Sequence, residues 1–363
     1  MYTSCAKNEH EYKKEIIKSL YFDQISDRKN QIYEADTENL GWIWSQESFQ
    51  TWLVSPSCLF WINGKPGSGK STLMKYIQSW PQIGKHLMAD RNSLSWITIN
   101  FFFDFRADTG IANSLDGFLR SLLLQMVSEM PKQAKEVREF ARDSLDPHQK
   151  INWGTAALRQ AVKKTILGAS ANICIFVDGL DEYGGSYMDL VELFRDIESD
   201  AGKSKTVVKV CFASRPEPIF AESFRDIETI RMQDHNMPSI RKYVSKKFQT
   251  ILHYQPDTDV LQLRTKIINY AEGVFLWAHL AAEIVIEGIA DGESFSTLQE
   301  YLVELPSELE AVYDRMLRRL KPRQFQEAYL MLRLISHAAR TISLEVLYDA
   351  VDLAMGRKEV SYP

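Results

Sequence analysis

The chain has 363 residues, of which 45% are hydrophobic and 25% charged, with a formal net charge of −5. Its length suits two domains with room for a short extra module, and its composition is ordinary for a soluble globular protein. The acidic balance argues against nucleic-acid binding by general phosphate neutralisation.

Cys5, Cys58, Cys174 and Cys211 form no CxxC pair. Three of them lie in apolar runs and read as small core residues in a reducing compartment. The first ten residues lack the apolar core of a signal peptide. No segment reaches the roughly 18 uninterrupted apolar residues of a membrane helix; the nearest, Val274 to Ile286, carries His279 and Glu283. The expectation is a cytoplasmic protein without a membrane span.

Residues from about 10 to 50 are charged and helix-prone, with Ile16, Ile17, Leu20 and Tyr21 as a modest apolar stripe. Arg28-Lys29-Asn30-Gln31-Ile32 follows, then Trp42, Trp44, Phe49, Trp52 and Leu53. Such aromatic bulk could pack against the base of a nucleotide or dock the lead-in on a domain surface, since aromatic anchors serve both purposes.

The next stretch organises the chain. Gly64-Lys65-Pro66-Gly67-Ser68-Gly69-Lys70-Ser71 reads G-x-x-x-x-G-K-[ST], followed by Thr72 and Leu73. This is the phosphate loop of P-loop NTPases. Glycines at 64, 67 and 69 let backbone N–H groups approach phosphate oxygens where a Cβ would intrude. A helix opening near Gly69 directs unpaired donors and its positive dipole end at the same place. Lys70 can reach β/γ-phosphates, and the Ser71 hydroxyl can sit on Mg²⁺. The context fits: Cys58 to Ile62 enters as a buried strand would, and Leu73, Met74, Tyr76 and Ile77 continue with helical spacing.

The loop's helix is expected to end before Pro81. Trp96 to Asp104 reads as a strand, and Leu115, Phe118, Leu119, Leu122, Leu123, Met126 and Val127 share one helical face ending near Pro131. A helix over about 155–168 follows. Ile173-Cys174-Ile175-Phe176-Val177-Asp178 then repeats the pattern of an apolar strand closing in an acid, the Walker B arrangement, with Asp181 and Glu182 just behind. A buried parallel strand delivers such a carboxylate to the sheet edge where ligands bind. Asp178 is placed to hold Mg²⁺, and Asp181 or Glu182 to polarise an attacking water. Leu190 to Ile197 reads as a helix, and Val207 to Ser214 as a strand that delivers Arg215 to the same edge, where it could sense γ-phosphate charge. Thr229 to Met232 reads as a short last strand.

From about 235 only helices are expected, with stripes at Ile240, Tyr243, Val244 and Phe248, a pair broken near Gly273, one over Leu309 to Leu320, and two over about 324–338 and 343–354. The basic clusters Arg241-Lys242…Lys246-Lys247 and Arg315…Arg323 read as solvated helix faces. No histidine has metal-ligand spacing.

Phe60 to Met74, Phe176 to Tyr183 and Ala213-Ser214-Arg215-Pro216 together resemble the NACHT module of fungal STAND-type signalling NTPases, the group described by a nephrocystin 3-like N-terminal domain. Gly273 to Ala278 and Leu305 to Leu309 are similar to the helical region that follows it. The resemblance covers roughly residues 15–355. It implies an α/β fold with an ASCE-type, mostly parallel P-loop sheet flanked by helices and followed by an all-helical C-terminal region. The expected division is a lead-in over 1–50, the NTPase over 51–234, and helices over 235–363 that end in the start of a winged-helix-like segment. The resemblance further implies binding of ATP, with GTP as the alternative, together with Mg²⁺. It implies a switch in which nucleotide state controls self-association or an effector protein in trans. Family members often carry an N-terminal effector domain and C-terminal repeats; neither is visible in these residues, which suits a truncated product or a core with partners in trans. Carried over, Gly64 to Thr72 hold phosphate, Ser71 and Asp178 the metal, and Lys70, Asp181, Glu182 and Arg215 act in hydrolysis. The other readings are a non-hydrolysing nucleotide-binding scaffold, a small-molecule kinase, which suits the acid cluster less well than water activation does, and a DNA-dependent motor, which the charge disfavours.

Overall fold

The computed structural model describes residues 2–22, 25, 27–32, 40–79, 94–105, 110–141, 151, 153–254, 258–306, 313, 317, 320, 322–338 and 342–357. The chain divides into two units, Met1–Ser239 and Ile240–Pro363.

In the first unit, helices α1 (Tyr2–Leu20), α2 (Asp27–Gln31) and α3 (Glu47–Val54) precede β1 (Leu59–Asn63) and α4 (Lys70–Ser79). After β2 (Trp96–Phe102) come α5 (Leu115–Glu129), α6 (Gln133–Ala141) and α7 (Thr155–Leu167). The remainder is β3 (Asn172–Asp178), α8 (Tyr187–Ala201), β4 (Val208–Ser214), α9 (Pro218–Ser223) and β5 (Glu228–Arg231). The five strands form one sheet in the order β2-β3-β4-β1-β5, every pairing parallel.

Parallel strands with both faces covered read as continuous apolar runs, and β1, β3 and β4 are buried along their whole length. Strand alternation then sorts their side chains into two cores. Leu59 and Trp61 join Ile173, Ile175, Val210 and Phe212 on the face covered by α1, α5, α7 and α8. Phe60 and Ile62 join Cys174, Phe176 and Cys211 on the other, under Leu73, Met74 and Ile77 of α4. Burying each large apolar side chain is worth about 1.5–3 kcal/mol.

The lead-in is part of both cores. Ile16 and Leu20 enter the first cluster, while Ile32, Leu40, Ile43, Phe49 and Trp52 enter the second. The Trp153 indole donates to Ser19 Oγ (3.0 Å), and Arg120 donates to the Ser19 carbonyl (3.0 Å), pinning α1. Ser114 caps α5 by accepting from the Gly117 N–H. Cys58, Cys174 and Cys211 are free and buried, and burial pushes the Cys58 thiol up to about 12.

In the second unit, α10 (Met237–Tyr254), which begins at the end of the first, buries Ile240, Val244 and Phe248 at helical spacing. Helices α11 (Thr258–Tyr270) and α12 (Phe275–Ala290) are separated where Glu272 and Gly273 take positive φ of 44° and 78°. Helix α13 (Phe295–Val303) is capped by Ser294, and the Trp277 indole donates to the Pro306 carbonyl (2.7 Å). Helices α14 (Pro322–His337) and α15 (Leu344–Ala354) pack together. Of the basic faces, Lys247 pairs with Glu283 across α10 and α12 (2.6 Å). The helix expected over 309–320 falls almost entirely outside the described residues. No helix among the described residues is long and apolar enough to cross a membrane.

Candidate functional site: a phosphate loop beside an acid-tipped strand

The strand ends that carry the candidate residues lie at one edge because the strands are parallel and in register. Asn63 is opposite both Ser214 and Arg231, and Val177 is opposite Phe212. The loop after β1, the acid closing β3, Arg215 after β4 and the turn after β5 therefore emerge together, at the edge where open α/β sheets take ligands.

The loop leaves Asn63 and turns twice through left-handed backbone, at Gly67 (φ 67°) and Gly69 (φ 94°). Glycine adopts those values without strain. A Cβ on Gly64 would stand 2.8 Å from Ser68 Oγ and Gln233 Oε1 and 2.9 Å from Met232 Cβ, so that position admits no side chain. Helix α4 opens at Lys70, and the unpaired N–H groups of its first turn face the loop. Pro66 is partly exposed in the loop, and Thr72 lies in the first turn of α4. The Lys70 amine folds back and donates to the carbonyls of Gly64 (2.7 Å) and Lys65 (3.1 Å). Burial lowers its pKa, while Asp181, Asp178 and Glu182 pull it upward.

Asp178, 2% exposed, has the Ser71 hydroxyl, the Lys70 amine and the Arg28 guanidinium as its polar neighbours. Burial pushes its carboxyl up to about 6, against the Ser71 hydroxyl, the Lys70 amine and the Arg28 guanidinium. Above that pH it is a desolvated anion, which an adjacent cation would stabilise. Gly179 (φ 70°) then turns the chain into the short helical turn Leu180–Glu182.

The two acids on that turn have different surroundings. Asp181 is engaged on both oxygens by Arg215: the backbone N–H donates to Oδ1 (3.0 Å) and Nε meets Oδ2 (3.1 Å). Glu182 is touched more loosely, by Arg28 Nη2 at Oε1 and the Phe105 N–H at Oε2, each at 3.4 Å. Burial raises the Glu182 pKa and Arg28 opposes the rise. The lead-in aromatics are occupied by the protein itself. Trp42 stacks on His235 with ring centres 4.6 Å apart, Trp44 donates to the Tyr76 hydroxyl (3.2 Å), and Trp52 donates to the Cys58 carbonyl (3.1 Å).

The donor set suits a magnesium nucleotide. Ser71 and Asp178 are hard oxygen donors, and Mg²⁺ commonly takes one or two protein oxygens, completing its shell with phosphate and water. Ser68 Oγ is buried without a partner among the described residues, beside donors that a phosphate would satisfy. Residues around the site that motif reading passed over are Arg28, Met232, Gln233 and Asn236. Gln233 Oε1 accepts the Lys65 N–H (3.3 Å), and Asn236 Nδ2 donates to the Ser68 carbonyl (2.6 Å). No spacing signal marks them; the adjacency of β5 and β1 brings Met232, Gln233 and Asn236 here, and the docking of the lead-in brings Arg28.

A parallel sheet with β4 inserted between a phosphate-loop strand and an acid-tipped strand defines a P-loop NTPase of the ASCE type, a nucleotide-binding fold. Residues 39–215 match the family described as nephrocystin 3, N-terminal. That stretch, just under half of the chain, is thus similar to the nephrocystin 3-like N-terminal module. It is 25% identical over 329 residues to the vegetative incompatibility protein HET-E-1 of Podospora anserina. That match takes in 86% of this chain and 23% of the relative, so the chain spans under a quarter of that protein's length. Two solved structures are similar over most of the chain. One is the ORC2 protein of Aeropyrum pernix in its ADP form, at 13% identity, covering 93% of this chain and 83% of that one with a TM-score of 0.36. The other is a Walker-type ATPase of Pyrococcus abyssi, at 13% identity, 92% of each chain and a TM-score of 0.39.

Proposed function

We propose that this chain is a nucleotide-dependent conformational switch that binds ATP with Mg²⁺ and hydrolyses it slowly. The observation that carries the reading is the convergence of the phosphate loop after β1 and the buried Asp178 at the end of β3 on one sheet edge, with Ser71 and the Lys70 amine beside that carboxyl, which unites two motifs about a hundred residues apart. The backbone from Gly64 to Thr72 wraps the phosphates, Lys70 meets their β/γ oxygens, and Ser71 with Asp178 holds the cation. When bound, Mg²⁺ supplies charge neutralisation for the phosphates. Glu182 serves as the base that orients water, because its carboxylate is the less committed of the pair. Asp181 positions Arg215, whose guanidinium then answers to γ-phosphate charge. A name of vegetative incompatibility on a relative suits a signalling role better than a metabolic one.

Glu182→Gln is expected to lower steady-state phosphate release about 100-fold or more, the usual contribution of a general base, while leaving ATP affinity within about threefold of wild type. Phosphate release that continues at the wild-type rate would remove Glu182 from the mechanism. If the protein binds ATP and releases no phosphate in any form, it is a scaffold.

Driving a population from 1:99 to 99:1 requires about 5.5 kcal/mol of differential binding. Mass by light scattering with ATP, with ADP and with neither tests whether that energy is spent on self-association. A larger mass with ATP is the expected result, and one mass under all three conditions leaves an effector in trans as the output.

A further inference from the structure

Residues 232–236, which follow β5, wall the phosphate loop from outside. The register explains why. Arg231 lies opposite Asn63, so the residues after each emerge side by side, and Met232 Cβ comes within 2.9 Å of where a Cβ on Gly64 would be. The strands are tied just beneath: Asn63 Nδ2 donates to Thr229 Oγ1 (2.8 Å), and Thr229 Oγ1 donates to the Trp61 carbonyl (2.9 Å). On its far side the turn is fixed by the stack of His235 on Trp42.

Two side chains from this wall grip the loop's backbone at opposite ends. Gln233 accepts the Lys65 N–H, and Asn236, 2% exposed, donates to the Ser68 carbonyl. In a planar trans peptide the C=O and the following N–H point in opposite directions. Drawing the Lys65 N–H outward therefore turns the Gly64 carbonyl inward, where it receives the Lys70 amine at 2.7 Å. Drawing the Ser68 carbonyl outward turns the Gly69 N–H inward, toward the hollow that the loop encloses.

We propose that Asn236 and Gln233 are positioning residues for phosphate binding: Asn236 aims the Gly69 N–H, and Gln233 aims the Gly64 carbonyl that seats Lys70. Neither side chain contacts the nucleotide in this account; each acts through one peptide plane of the loop. The inference rests on the phosphate-loop reading above and adds to it two residues outside the sequence motif.

The test is the affinity of the whole chain for Mg·ATP and for inorganic tripolyphosphate with Mg²⁺, measured by calorimetry at a temperature where each variant is folded. Asn236→Ala is expected to weaken both ligands by about tenfold, the scale of one hydrogen bond to a charged group. The equal loss for tripolyphosphate places the defect at the phosphates. Gln233 is only half-buried, so Gln233→Leu provides a second, milder variant. It is expected to weaken both ligands about threefold. A lowered melting temperature with unchanged affinity for both ligands would make these amides merely structural and overturn the proposal. So would a loss seen with ATP and absent with tripolyphosphate. Wild-type protein that binds neither ligand overturns the nucleotide reading itself, whereas wild-type binding with unaffected variants overturns this inference alone.

Discussion

Lys70→Ala is expected to weaken Mg·ATP binding by at least about 100-fold while leaving the fold intact. The Lys70 amine stands among Asp178, Asp181 and Glu182, with Arg215 and Arg28 as the other nearby cations. A bound triphosphate adds several negative charges to a half-buried site where water screens poorly. Removing one partner from such a desolvated charge cluster costs about 3–5 kcal/mol, and each 1.4 kcal/mol is tenfold in affinity. The fold bears little of that loss. The amine's hydrogen bonds are to the loop's own Gly64 and Lys65 carbonyls, and Lys70 belongs to neither hydrophobic core. Calorimetric titration gives the affinity, and thermal unfolding without nucleotide is expected within a few degrees of wild type. An affinity equal to wild type would sink the phosphate site, and with it the roles proposed for Ser71, Asp178 and Glu182.

How much of this could be read beforehand depends on whether a feature is written in adjacent residues. The runs Leu59 to Ile62 and Ile173 to Val177 are apolar without a break, and Val208 to Ala213 is interrupted only by Lys209, because helices cover both faces of the sheet, so they read as buried strands from composition alone. The loop is equally legible, since its glycines and its Lys-Ser pair are contiguous. Strand order is not. Nothing in Glu228 to Arg231, four residues with a single buried side chain, announces that this strand lies beside β1 rather than at the far edge. Gln233 and Asn236 were therefore invisible as loop contacts, each separated from its partner by 168 residues. Arg28 escaped for the same reason. Only the docking of the lead-in brings it to Glu182, 154 residues away. The division of labour between Asp181 and Glu182 is not legible either, because two acids side by side on one turn differ only in what their carboxylates touch.

Lys209→Met is expected to destabilise the first unit by about 3 kcal/mol or more. Lys209 lies in the middle of β4 and is 0% exposed. It shares a sheet face with Cys211 and Ala213, the face onto which α3 docks. Helix α3 ends at Val54, and Ser55-Pro56-Ser57 must turn the chain sharply to feed β1. Helix ends leave carbonyls unpaired, and here they converge over the strand. The Lys209 ammonium donates to the Trp52 carbonyl, to that of Ser55 (2.6 Å) and to that of Ser57 (2.9 Å), and it lies 5.5 Å from the centre of the Trp52 ring. An ammonium has three donors and no acceptor, so it matches three carbonyls, and its charge also opposes the negative end of the α3 dipole. Methionine would fill the same volume and abandon all three oxygens; the Trp52 carbonyl keeps the Ser55 hydroxyl at 3.4 Å, while a carbonyl buried without a partner, as those of Ser55 and Ser57 would be, costs about 1–3 kcal/mol. In a unit of this size that loss corresponds to a melting temperature roughly 6–12 °C lower, read by calorimetry or by urea unfolding. The loss should be the same with and without Mg·ATP, because the ammonium caps the lead-in rather than the phosphate loop. A midpoint within about 2 °C of wild type would mean that water reaches those carbonyls once the ammonium is gone. The lead-in would then be held on the sheet by the packing of Phe49, Trp52 and Leu53 alone.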